Sequence, residues 1–493
     1  MQWRSLATDG SSIVPAPQGS VKHNEASLDP MSEVLISPSE AGETVPLHAL
    51  RRQDLEDFLA RRRPAVATQA EALGFKAAVG QTCAVLRADG RIELALVGLG
   101  GEDPPDPMAL RAASAKLPSG DYRLASAPRG LSRLQAAIAW SLGSYGFDRY
   151  KAKAERQPRR LLVDGAEDLA AARRIAHACA LARDMVNAPA NDLGPLQIET
   201  IAREIAERYG GRVESVVGSA LHDAGYPAVL VVGRSAEASR APRMIELSWG
   251  TQGPLVAIVG KGVVFDTGGL DLKPSASMRL MKKDMGGAAH ALALGRMVMD
   301  AGLKLRLVVL VPAVENAVSA EAMRPGDVIS TRKGLTIEVG NTDAEGRLIL
   351  ADALARAAEL EPELTLDLAT LTGAARVALG PQVIPFLTDD DRLATEIAAA
   401  GVRVCDPLWR LPMWEGYASA VEGEIADLRN DPEAWAQAGS ITAALFLKRF
   451  APPRGWAHFD IFAWNPKSRP GWPVGAEVQA IRALFDLLQR RYG

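Results

Sequence analysis

The chain has 493 residues, which is enough for two large domains, each with a core of its own. Apolar residues make up 48% and charged residues 23% of it, and this ordinary globular composition excludes a disordered or fibrous protein. The 56 Lys and Arg residues nearly balance the 59 Asp and Glu residues, so the formal net charge is −3. This balance argues against nucleic acid or an anionic membrane as the main partner.

The cysteines and the apolar runs of the sequence indicate the cellular compartment in which the protein is expected. Cys83, Cys179 and Cys405 form no CxxC pair, so the sequence predicts neither a disulfide framework nor a thiolate zinc site. The N-terminus lacks the apolar run of a signal peptide, and the apolar run at 307–314 has about half of the roughly 20 residues that a membrane span needs. We therefore expect a soluble, cytoplasmic protein with no membrane association.

The N-terminal third divides into two parts. Residues 1–45 are rich in Ser, Pro, Gly and Glu and show neither strand nor helix periodicity, so we expect a flexible N-terminal extension there. Residues 46–165 alternate strand-like and helical segments, and Asp89-Gly90 between two apolar runs is typical of a β-hairpin. A long alanine-rich helix follows and is broken at Pro189, so we predict that a second domain covers 166–493.

Beyond residue 166, apolar strands alternate with helices, as expected when helices cover both faces of a mainly parallel sheet. The predicted strands are 228–233, 244–249, 255–260, 305–312, 335–340 and 364–371, and the predicted helices are 195–209, 277–302, 346–360 and 475–492. The predicted fold class is therefore α/β, with a smaller N-terminal α/β domain and a larger C-terminal domain whose mixed, mainly parallel sheet lies between helices.

Four carboxylates lie on glycine-flanked loops between these elements. Asp266 ends an apolar strand, Asp284 precedes an apolar helix, and Asp343 and Glu345 lie between a strand and a helix. Each alone is explained by a turn or a helix cap. Together they require compensation by lysines or by a metal, because an uncompensated buried carboxylate costs on the order of several kcal/mol.

The kinds of donor present favour an oxygen-rich metal site. The six histidines form no HxxxH pair, which argues against an imidazole-rich zinc site, and we interpret His290 and His458 as core or surface residues. Asp and Glu oxygens suit Mn²⁺, Mg²⁺ or carboxylate-ligated Zn²⁺. Four carboxylates are enough to bridge two ions about 3.5 to 4 Å apart, as in two-metal hydrolases.

Two long motifs carry a resemblance to a known family. They are GNTDAEGRL at 340–348 and VGKGVVFDTGGLDLKPSASMRLMKKDMGGAA at 259–289, supported by ARDMVNAPANDLGP at 182–195, LATLTGA at 368–374, AGSITAALFL at 438–447 and HFDI at 458–461. This combination resembles the cytosolic leucine aminopeptidase (leucyl aminopeptidase) family of dinuclear metallopeptidases. The resemblance makes 166–493 the linker helix and the catalytic metallopeptidase domain.

The resemblance implies a role for each motif residue. The metal ligands would be Lys261, Asp266, Asp284, Asp343 and Glu345, binding two divalent ions per subunit, Mn²⁺ or Zn²⁺. Lys273 and Arg347 would be catalytic without binding metal, Lys273 as an oxyanion stabiliser and Arg347 as the binding site of a bicarbonate proton shuttle. Met281, Thr370, Gly373 and Phe462 would line the pocket for the first side chain of the substrate.

The implied activity is removal of N-terminal, preferably apolar, residues from peptide substrates by a metal-activated water. The family resemblance also implies a homo-hexamer, a dimer of trimers. A DNA-binding regulator of the same family and a narrow-specificity dipeptidase remain as alternatives, the former suggested by basic residues at 59–63 and by Arg156, Arg159 and Arg160. The sequence departs from the family pattern at 430–437 and 462–465, where we expect changes in pocket shape and subunit packing but not in the metal centre.

Overall fold

The computed structural model of the protein describes residues 34–151, 158–432 and 437–493. The strands are β1 Leu35–Ile36, β2 Thr44–Arg51, β3 Thr82–Leu86, β4 Ile92–Gly100, β5 Gly120–Ser126, β6 Arg159–Leu162, β7 Arg212–Val217, β8 Arg243–Trp249, β9 Leu255–Gly260, β10 Gly262–Asp266, β11 Arg306–Asn316, β12 Val328–Ser330, β13 Thr336–Glu338, β14 Leu364–Ala369, β15 Ile384–Leu387, β16 Leu408–Arg410, β17 Leu428–Arg429, β18 Trp456–Asp460, β19 Trp464–Asn465 and β20 Gly475–Ala476. The helices are α1 Leu55–Ala60, α2 Pro64–Ala72, α3 Arg111–Lys116, α4 Arg133–Ser144, α5 Ala166–Asn187, α6 Pro195–Tyr209, α7 Ala220–Asp223, α8 Pro227–Gly233, α9 Ser275–Met278, α10 Gly286–Ala301, α11 Glu345–Glu359, α12 Gly373–Leu379, α13 Asp391–Arg403, α14 Gly439–Lys448 and α15 Ile481–Tyr492.

The N-terminal domain is built on a six-stranded sheet of order β1-β6-β5-β2-β4-β3. All neighbours in it are parallel except β3 and β4, which are antiparallel. These two strands are the predicted hairpin, and Gly90 in its turn has φ 81°, a backbone angle that glycine adopts without strain. The hairpin prediction is confirmed.

The larger domain contains a nine-stranded sheet of order β16-β15-β18-β14-β9-β11-β8-β7, with β10 paired to β11. Parallel pairing joins the central strands β18, β14, β9, β11 and β10, whereas β8 and β15 run antiparallel to their inner neighbours. The predicted mixed, mainly parallel sheet in a two-domain α/β fold is confirmed.

Helices cover both faces of this sheet, and β9 shows why its sequence is continuously apolar. Val256 and Ile258 belong to the core beneath α10, while Ala257 and Val259 belong to a second core that includes α8 and α11. Alternate residues of the strand therefore enter opposite cores, and neither face is left for polar side chains.

Part of the segment predicted as an extension lies in the N-terminal sheet. The first 33 residues of the predicted range 1–45 lie outside the described residues, but Leu35 and Ile36 are buried and pair in parallel with Leu161 and Leu162 of β6. A two-residue strand is too short to produce a periodic pattern, so no sequence pattern predicts it.

Three predicted elements of the larger domain are wrong or misplaced. The apolar run 228–233 is helix α8, which starts at Pro227 and buries residues on one side, because short apolar runs do not distinguish buried helix from strand. The helix predicted over 277–302 is broken before Gly286 by a 3₁₀ turn at Met281–Lys283. The last helix starts at Ile481, since Gly475–Ala476 forms strand β20.

The parallel strands bring the predicted site together at one edge of the sheet. Lys261 follows β9, Asp266 ends β10, Thr370 follows β14 and Phe462 lies just beyond β18. Ligand sites of open α/β sheets lie at the carboxyl ends of such strands. No helix in the described ranges is long and apolar enough to cross a membrane.

Candidate active site

One cavity of about 500 Å³ lies at this edge of the sheet. Every site residue predicted from the sequence lines it: Lys261, Asp266, Lys273, Met281, Asp284, Asp343, Glu345, Arg347, Thr370, Gly373 and Phe462. Residues that are up to about 200 positions apart in the chain thus share one concave surface. Such a cavity, with convergent charged groups, is the usual form of a binding or catalytic site.

The carboxylates and three lysines form a buried cluster in the cavity. Lys261 Nζ lies 2.7 Å from Asp284 Oδ2 and 3.0 Å from Glu345 Oε1. Lys273 Nζ lies 2.9 Å from Asp266 Oδ2 and is ion-paired with Asp343 as well. Lys283 Nζ lies 3.4 Å from Asp284 Oδ1, so four carboxylates face three ammonium groups, and the acidic groups are in excess at this end of the cavity.

Three of these carboxylates are spaced to share a metal ion. One oxygen from each of Asp266, Asp343 and Glu345 lies within 4.8 Å of the others. Both carboxylate oxygens of Glu345 are buried, and apart from the ion pair of Oε1 with Lys261 they accept no hydrogen bond from any described residue. Buried oxygens with so few donors fit a hard divalent cation, which prefers oxygen ligands.

Burial and neighbouring charges shift the pKa values of this cluster in opposite directions. Burial, together with the charge of Asp266, raises the pKa of Glu345 to about 8 and that of Asp343 to about 6. Burial opposes ionisation of Asp284 too, but Lys261 and Lys283 outweigh it and lower its pKa to about 2. Burial also disfavours the charged form of Lys261, yet the charges of Asp284, Glu345 and Asp266 outweigh it and raise its pKa.

These shifts show that the cluster needs positive charge. Beside Lys261, Lys273 and Lys283, Glu345 with its pKa of about 8 is mostly protonated at neutral pH, and Lys261 remains an ammonium ion. A divalent cation beside them would favour the ionised carboxylate and the neutral amine, since an added positive charge lowers both pKa values. The residues therefore fit a divalent metal.

The loop after β10 holds Asp266 in place. Its Oδ1 accepts hydrogen bonds from the backbone N–H of Gly268 and from Asn316 Nδ2, both at 2.8 Å. Gly268 has φ 88°, and a Cβ there would lie 2.4 Å from the carbonyl oxygen of Asp271, so the turn requires glycine. Sequence reasoning missed Asn316, which ends β11 without any motif around it.

The loop before α11 is held by a residue from the segment that departs from the family pattern. The buried Asn430 accepts hydrogen bonds at Oδ1 from Gly340 and Asn341 N–H groups, at 2.8 and 3.2 Å. Its Nδ2 donates to the Asn341 carbonyl at 2.6 Å. Asp431 and Pro432 line the cavity itself. The described part of 430–437 therefore supports the loop that carries Asp343 and Glu345, and the expectation that this departure leaves the metal centre unchanged stays a prediction.

Glycine at position 346 makes room for Lys261. A Cβ on Gly346 would lie 2.5 Å from Lys261 Cε and 2.6 Å from Lys261 Nζ. The side chain of Lys261 thus passes directly over the first turn of α11, next to Glu345. Packing against Lys261 therefore requires glycine between Glu345 and Arg347, in addition to the charges that these two residues supply.

Arg347 offers a free set of donors inside the cavity. It is 8% exposed, and its Nε and Nη1 atoms donate to no described residue. Burial lowers its pKa to about 10, although Asp431, Glu345 and Asp460 oppose the shift, so the guanidinium remains charged at neutral pH. A buried guanidinium with free N–H groups fits a small bidentate anion.

The remaining predicted residues form the wall beside the carboxylates. Thr370 Oγ1 donates to the Asp284 carboxylate at 2.9 Å, which fixes this wall against the cluster. A Cβ on Gly373 would meet nothing within 4 Å, so this glycine leaves open space in the cavity. Phe462 presents an aromatic ring beside Lys283, whose Nζ lies 5.7 Å from the ring centroid. The wall is therefore partly apolar and has space at Gly373.

Two further residues near the cavity were not recognised from the sequence as site residues. Asp460 is buried and accepts hydrogen bonds from the N–H groups of Leu371 and Thr372 at 3.1 and 3.0 Å. Lys283 is buried against Asp284, with Nζ 3.4 Å from Oδ1. Lys283 directly precedes Asp284 in KKDMGG, and Asp460 stands in the motif HFDI two residues before Phe462, so these positions were the available signal. His290 and His458 are fully buried, as a core position requires.

The basic residues that suggested DNA binding are largely engaged within the chain. Arg63 is ion-paired with Glu93, the guanidinium of Arg62 lies 4.5 Å from the Phe58 ring centroid, and Arg160 makes two hydrogen bonds with Asp121. Arg159 donates to the Leu117 carbonyl, and Arg156 lies outside the described residues. The structure thus gives no support to a basic binding surface at these positions.

Comparisons with known proteins agree with this geometry. Residues 180–485 match the sequence model of the cytosol aminopeptidase family, catalytic domain, and residues 45–163 match that of the M17 aminopeptidase N-terminal domain. A probable cytosol aminopeptidase of Syntrophotalea carbinolica is 41% identical over 428 residues, which cover 80% of this chain and 85% of the relative.

Solved structures agree as well. Cytosol aminopeptidase from Coxiella burnetii superposes with a TM-score of 0.87 at 39% identity, covering 93% of this chain and 99% of the other. The bottromycin maturation enzyme BotP in complex with Mn has a TM-score of 0.81 at 34% identity, covering 91% and 100%. The fold and site are those of a metallopeptidase, a hydrolase acting on peptide bonds. The chain belongs to the cytosol aminopeptidase family and is an aminopeptidase. The resemblance drawn from its motifs is confirmed.

Proposed function

We propose that the protein removes N-terminal residues, preferably apolar ones, from peptides at the 500 Å³ cavity, with two divalent cations, Mn²⁺ or Zn²⁺, bound per subunit. The observation that carries the proposal is the buried carboxylate cluster, in which the Glu345 oxygens have no donor among the described residues other than Lys261. Peptides are the substrate class of the family, and the Mn complex of BotP is a precedent for that metal in a relative.

The residues that would hold the cations are Lys261, Asp266, Asp284, Asp343 and Glu345. Two cations bound there would supply the positive charge that lowers the pKa of a water molecule and polarises the scissile carbonyl. Asn316 and Gly268 orient Asp266, and Asn430 orients the loop of Asp343 and Glu345. This support fixes the ligand positions before any substrate enters.

Lys273 would stabilise the negative charge that develops on the carbonyl oxygen. Burial disfavours its ammonium form, but the charges of Asp266 and Asp343 outweigh this and keep the pKa raised. Lys273 also precedes Pro274, which restricts the loop that carries it. A charged donor on a restricted loop is suited to an oxyanion contact.

Arg347 would bind bicarbonate through the Nε and Nη1 groups that lack partners among the described residues. A bicarbonate held there supplies a base for proton transfer. Met281, Thr370, Gly373 and Phe462 would receive the side chain of the first residue, and the open space at Gly373 suits an unbranched apolar group.

Blocking the substrate amine tests the proposal. Leucyl and N-acetyl-leucyl anilides are compared under identical metal and salt conditions with protein loaded with Mn²⁺ or Zn²⁺. We expect almost complete rejection of the acetylated substrate, because acylation removes the nitrogen lone pair needed for binding near Asp284, whereas selectivity among Leu, Met and Ala should be graded. Comparable kcat/KM values for the two leucyl substrates would exclude aminopeptidase chemistry at this cavity.

The family also supports two proposals about the whole protein. We propose a homo-hexamer, tested by analytical ultracentrifugation, and a cytoplasmic location, tested by fractionation of the source cells. The relatives are named cytosol aminopeptidases, and the described helices include none that could span a membrane. A predominantly monomeric protein in the first experiment would contradict the hexamer.

A further inference from the structure

Arg376 is a cationic side chain of the cavity for which the proposed mechanism has no role. It lies on α12, between Gly373 and the Gly380 end of the same cavity wall, and it is exposed. Its Cζ atom lies 4.8 Å from the centroid of the Phe462 ring, within the distance of a cation–π contact. Arg376 and Phe462 therefore form one surface of the cavity.

The guanidinium of Arg376 has no acidic partner within the described part of the chain. Other arginines on the surface are paired, such as Arg403 with Asp486 and Arg332 with Glu359. Among the described residues, Arg376 has neither an ion pair nor a side-chain hydrogen bond. Its guanidinium makes a cation–π contact with Phe462. Its five N–H donors are therefore available to a ligand.

The charges of the cavity are distributed unequally around Arg376. Asp266, Asp284, Asp343 and Glu345 surround Lys261 and Lys273, and Asp460 is bonded to the N–H groups of Leu371 and Thr372. The lining residues at 380 and 383–385 are Gly380, Val383, Ile384 and Pro385. Lys283 lies near the same Phe462 ring, with Nζ 5.7 Å from the centroid. Since Lys283 is already paired with Asp284, an anion beside Phe462 would meet the guanidinium of Arg376 and an apolar wall there.

We infer that Arg376 is a specificity-determining residue that binds a carboxylate of the peptide substrate. The inference rests on the proposed function, since it uses the pocket formed by Met281, Thr370, Gly373 and Phe462. A first residue with a glutamyl side chain would lay its methylene groups along Phe462 and place its carboxylate at the guanidinium. The planar fork of arginine matches a carboxylate with two parallel hydrogen bonds.

Two sources of that carboxylate are possible in a peptide. One is the side chain of an acidic first residue, which the contact between Arg376 and Phe462 favours. The other is the C-terminal carboxylate of a very short peptide. Glutamyl and glutaminyl anilides differ in charge but not in size and report on the first source. Leucylglycine and leucylglycinamide report on the second.

The test measures kcat/KM for these four substrates and for leucyl anilide, with metal-loaded wild type and Arg376→Gln. We expect wild type to prefer the glutamyl over the glutaminyl anilide and Arg376→Gln to reduce this ratio by about three- to tenfold, the range of a partly exposed charged hydrogen bond. The reduction should shrink at high salt, because the pair is accessible to solvent. Arg376→Lys should retain part of the preference.

Arg392→Gln is the matched control, since Arg392 is an exposed arginine on α13 that does not line the cavity. A lower leucylglycine to leucylglycinamide ratio in Arg376→Gln, with an unchanged glutamyl ratio, would support carboxylate binding and assign it to the C-terminus. If Arg376→Gln alters neither ratio, the inference is overturned while the proposed function stands. If wild type cleaves no leucyl substrate, the proposed function fails, and the inference fails with it.

Discussion

At the scale of single residues, Glu345 has the most unusual environment. Its side chain is 1% exposed, and apart from Lys261 Nζ, which lies 3.0 Å from Oε1, no described residue donates a hydrogen bond to its oxygens. Glu345→Gln keeps the volume and removes the charge, so we expect the metal content to fall and turnover to drop more than about 100-fold, since changes at outer-shell partners already cost about 10- to 100-fold. Metal analysis after gel filtration and anilide hydrolysis measure both. Full metal content with ordinary turnover would contradict the ligand role.

The raised pKa of Glu345 predicts how cation affinity depends on pH. Without a bound cation, Glu345 holds a proton below its pKa of about 8, and a divalent cation must displace that proton. The affinity for Mn²⁺ should therefore rise between pH 6 and 8, with the Glu345 proton alone contributing up to about tenfold per pH unit, and this contribution should disappear above about pH 8. Competition with a chelator gives the dissociation constants. Glu345→Gln is the control, and an identical slope in that variant would contradict this explanation.

Lys273 is predicted to act on the transition state. Lys273→Ala should lower kcat by about 10² to 10³-fold with little change in KM, because an oxyanion contact strengthens only as charge develops. Steady-state kinetics with leucyl anilide at saturating metal measures both constants. A change confined to KM would make Lys273 a residue that binds the ground state instead.

Sequence reasoning found residues that stand in dense motifs and missed residues that act from isolated positions. Lys261, Asp266 and Glu345 are embedded in glycine-rich loops, where each charged residue is conspicuous. Asn316 and Asn430 contribute amide groups from a strand end and from a segment outside the motifs. A single amide gives no periodicity or spacing signal, so only the fold reveals which loop it supports.

At the scale of elements, the loop before α11 depends on Asn430. Removing its side chain deletes the hydrogen bonds to Gly340 and Asn341, so we expect Asn430→Ala to weaken Mn²⁺ binding by about 10- to 100-fold. Chelator competition measures the affinity. The exposed Asn191, which donates to Asp192, provides the control variant Asn191→Ala. Equal affinity in the two variants would show that the loop holds its shape without Asn430.

Whether a helix or strand is predicted correctly depends on its length and on its tertiary contacts. Helix α6 was predicted at its observed bounds, since Pro195 starts it, Gly210 ends it and its periodicity is strong. The sequence predicts a strand at 228–233 because this apolar run has the length of a typical strand. The structure shows a helix there that is buried on one side. Tertiary packing against α11 decides its conformation, and sequence alone contains no record of that contact.

At the scale of the whole molecule, a buried ion pair joins the two domains. Arg111 of the N-terminal domain makes two hydrogen bonds with Glu477, at 2.8 and 3.0 Å, and its guanidinium lies 4.2 Å from the Trp472 ring centroid. Burial opposes ionisation of Glu477, but Arg111 and Arg183 outweigh it and lower its pKa from 4.5 to about 2. A lowered carboxyl pKa stabilises the fold above pH 4.5, and this contribution is lost as the pH falls towards 2.

We expect Glu477→Gln to lower the thermal midpoint at pH 7 by about 3 to 5 °C. Leaving a buried arginine without its counter-charge costs about 3 to 5 kcal/mol, and unfolding a chain of this length changes the entropy by about 1 kcal/mol per degree. Calorimetry measures the shift, which should disappear as the pH approaches 2. Glu71→Gln, an exposed change on α2, should leave the midpoint within about 1 °C. Equal midpoints for the two variants would show that the pair does not stabilise domain docking.

The short strand β1 has a practical consequence for anyone who trims the chain. Composition alone suggests that all residues before 46 form a flexible extension that can be removed. Such a cut would delete Leu35 and Ile36, which are 1% and 2% exposed, and would leave the N–H groups of Leu161 and Val163 without their acceptors on Val34 and Ile36. It would also create a new open edge on β6, and open edges of this kind invite aggregation. A cleavage site or an affinity tag therefore belongs before Val34, so that the contacts of Val34, Leu35 and Ile36 with β6 are kept.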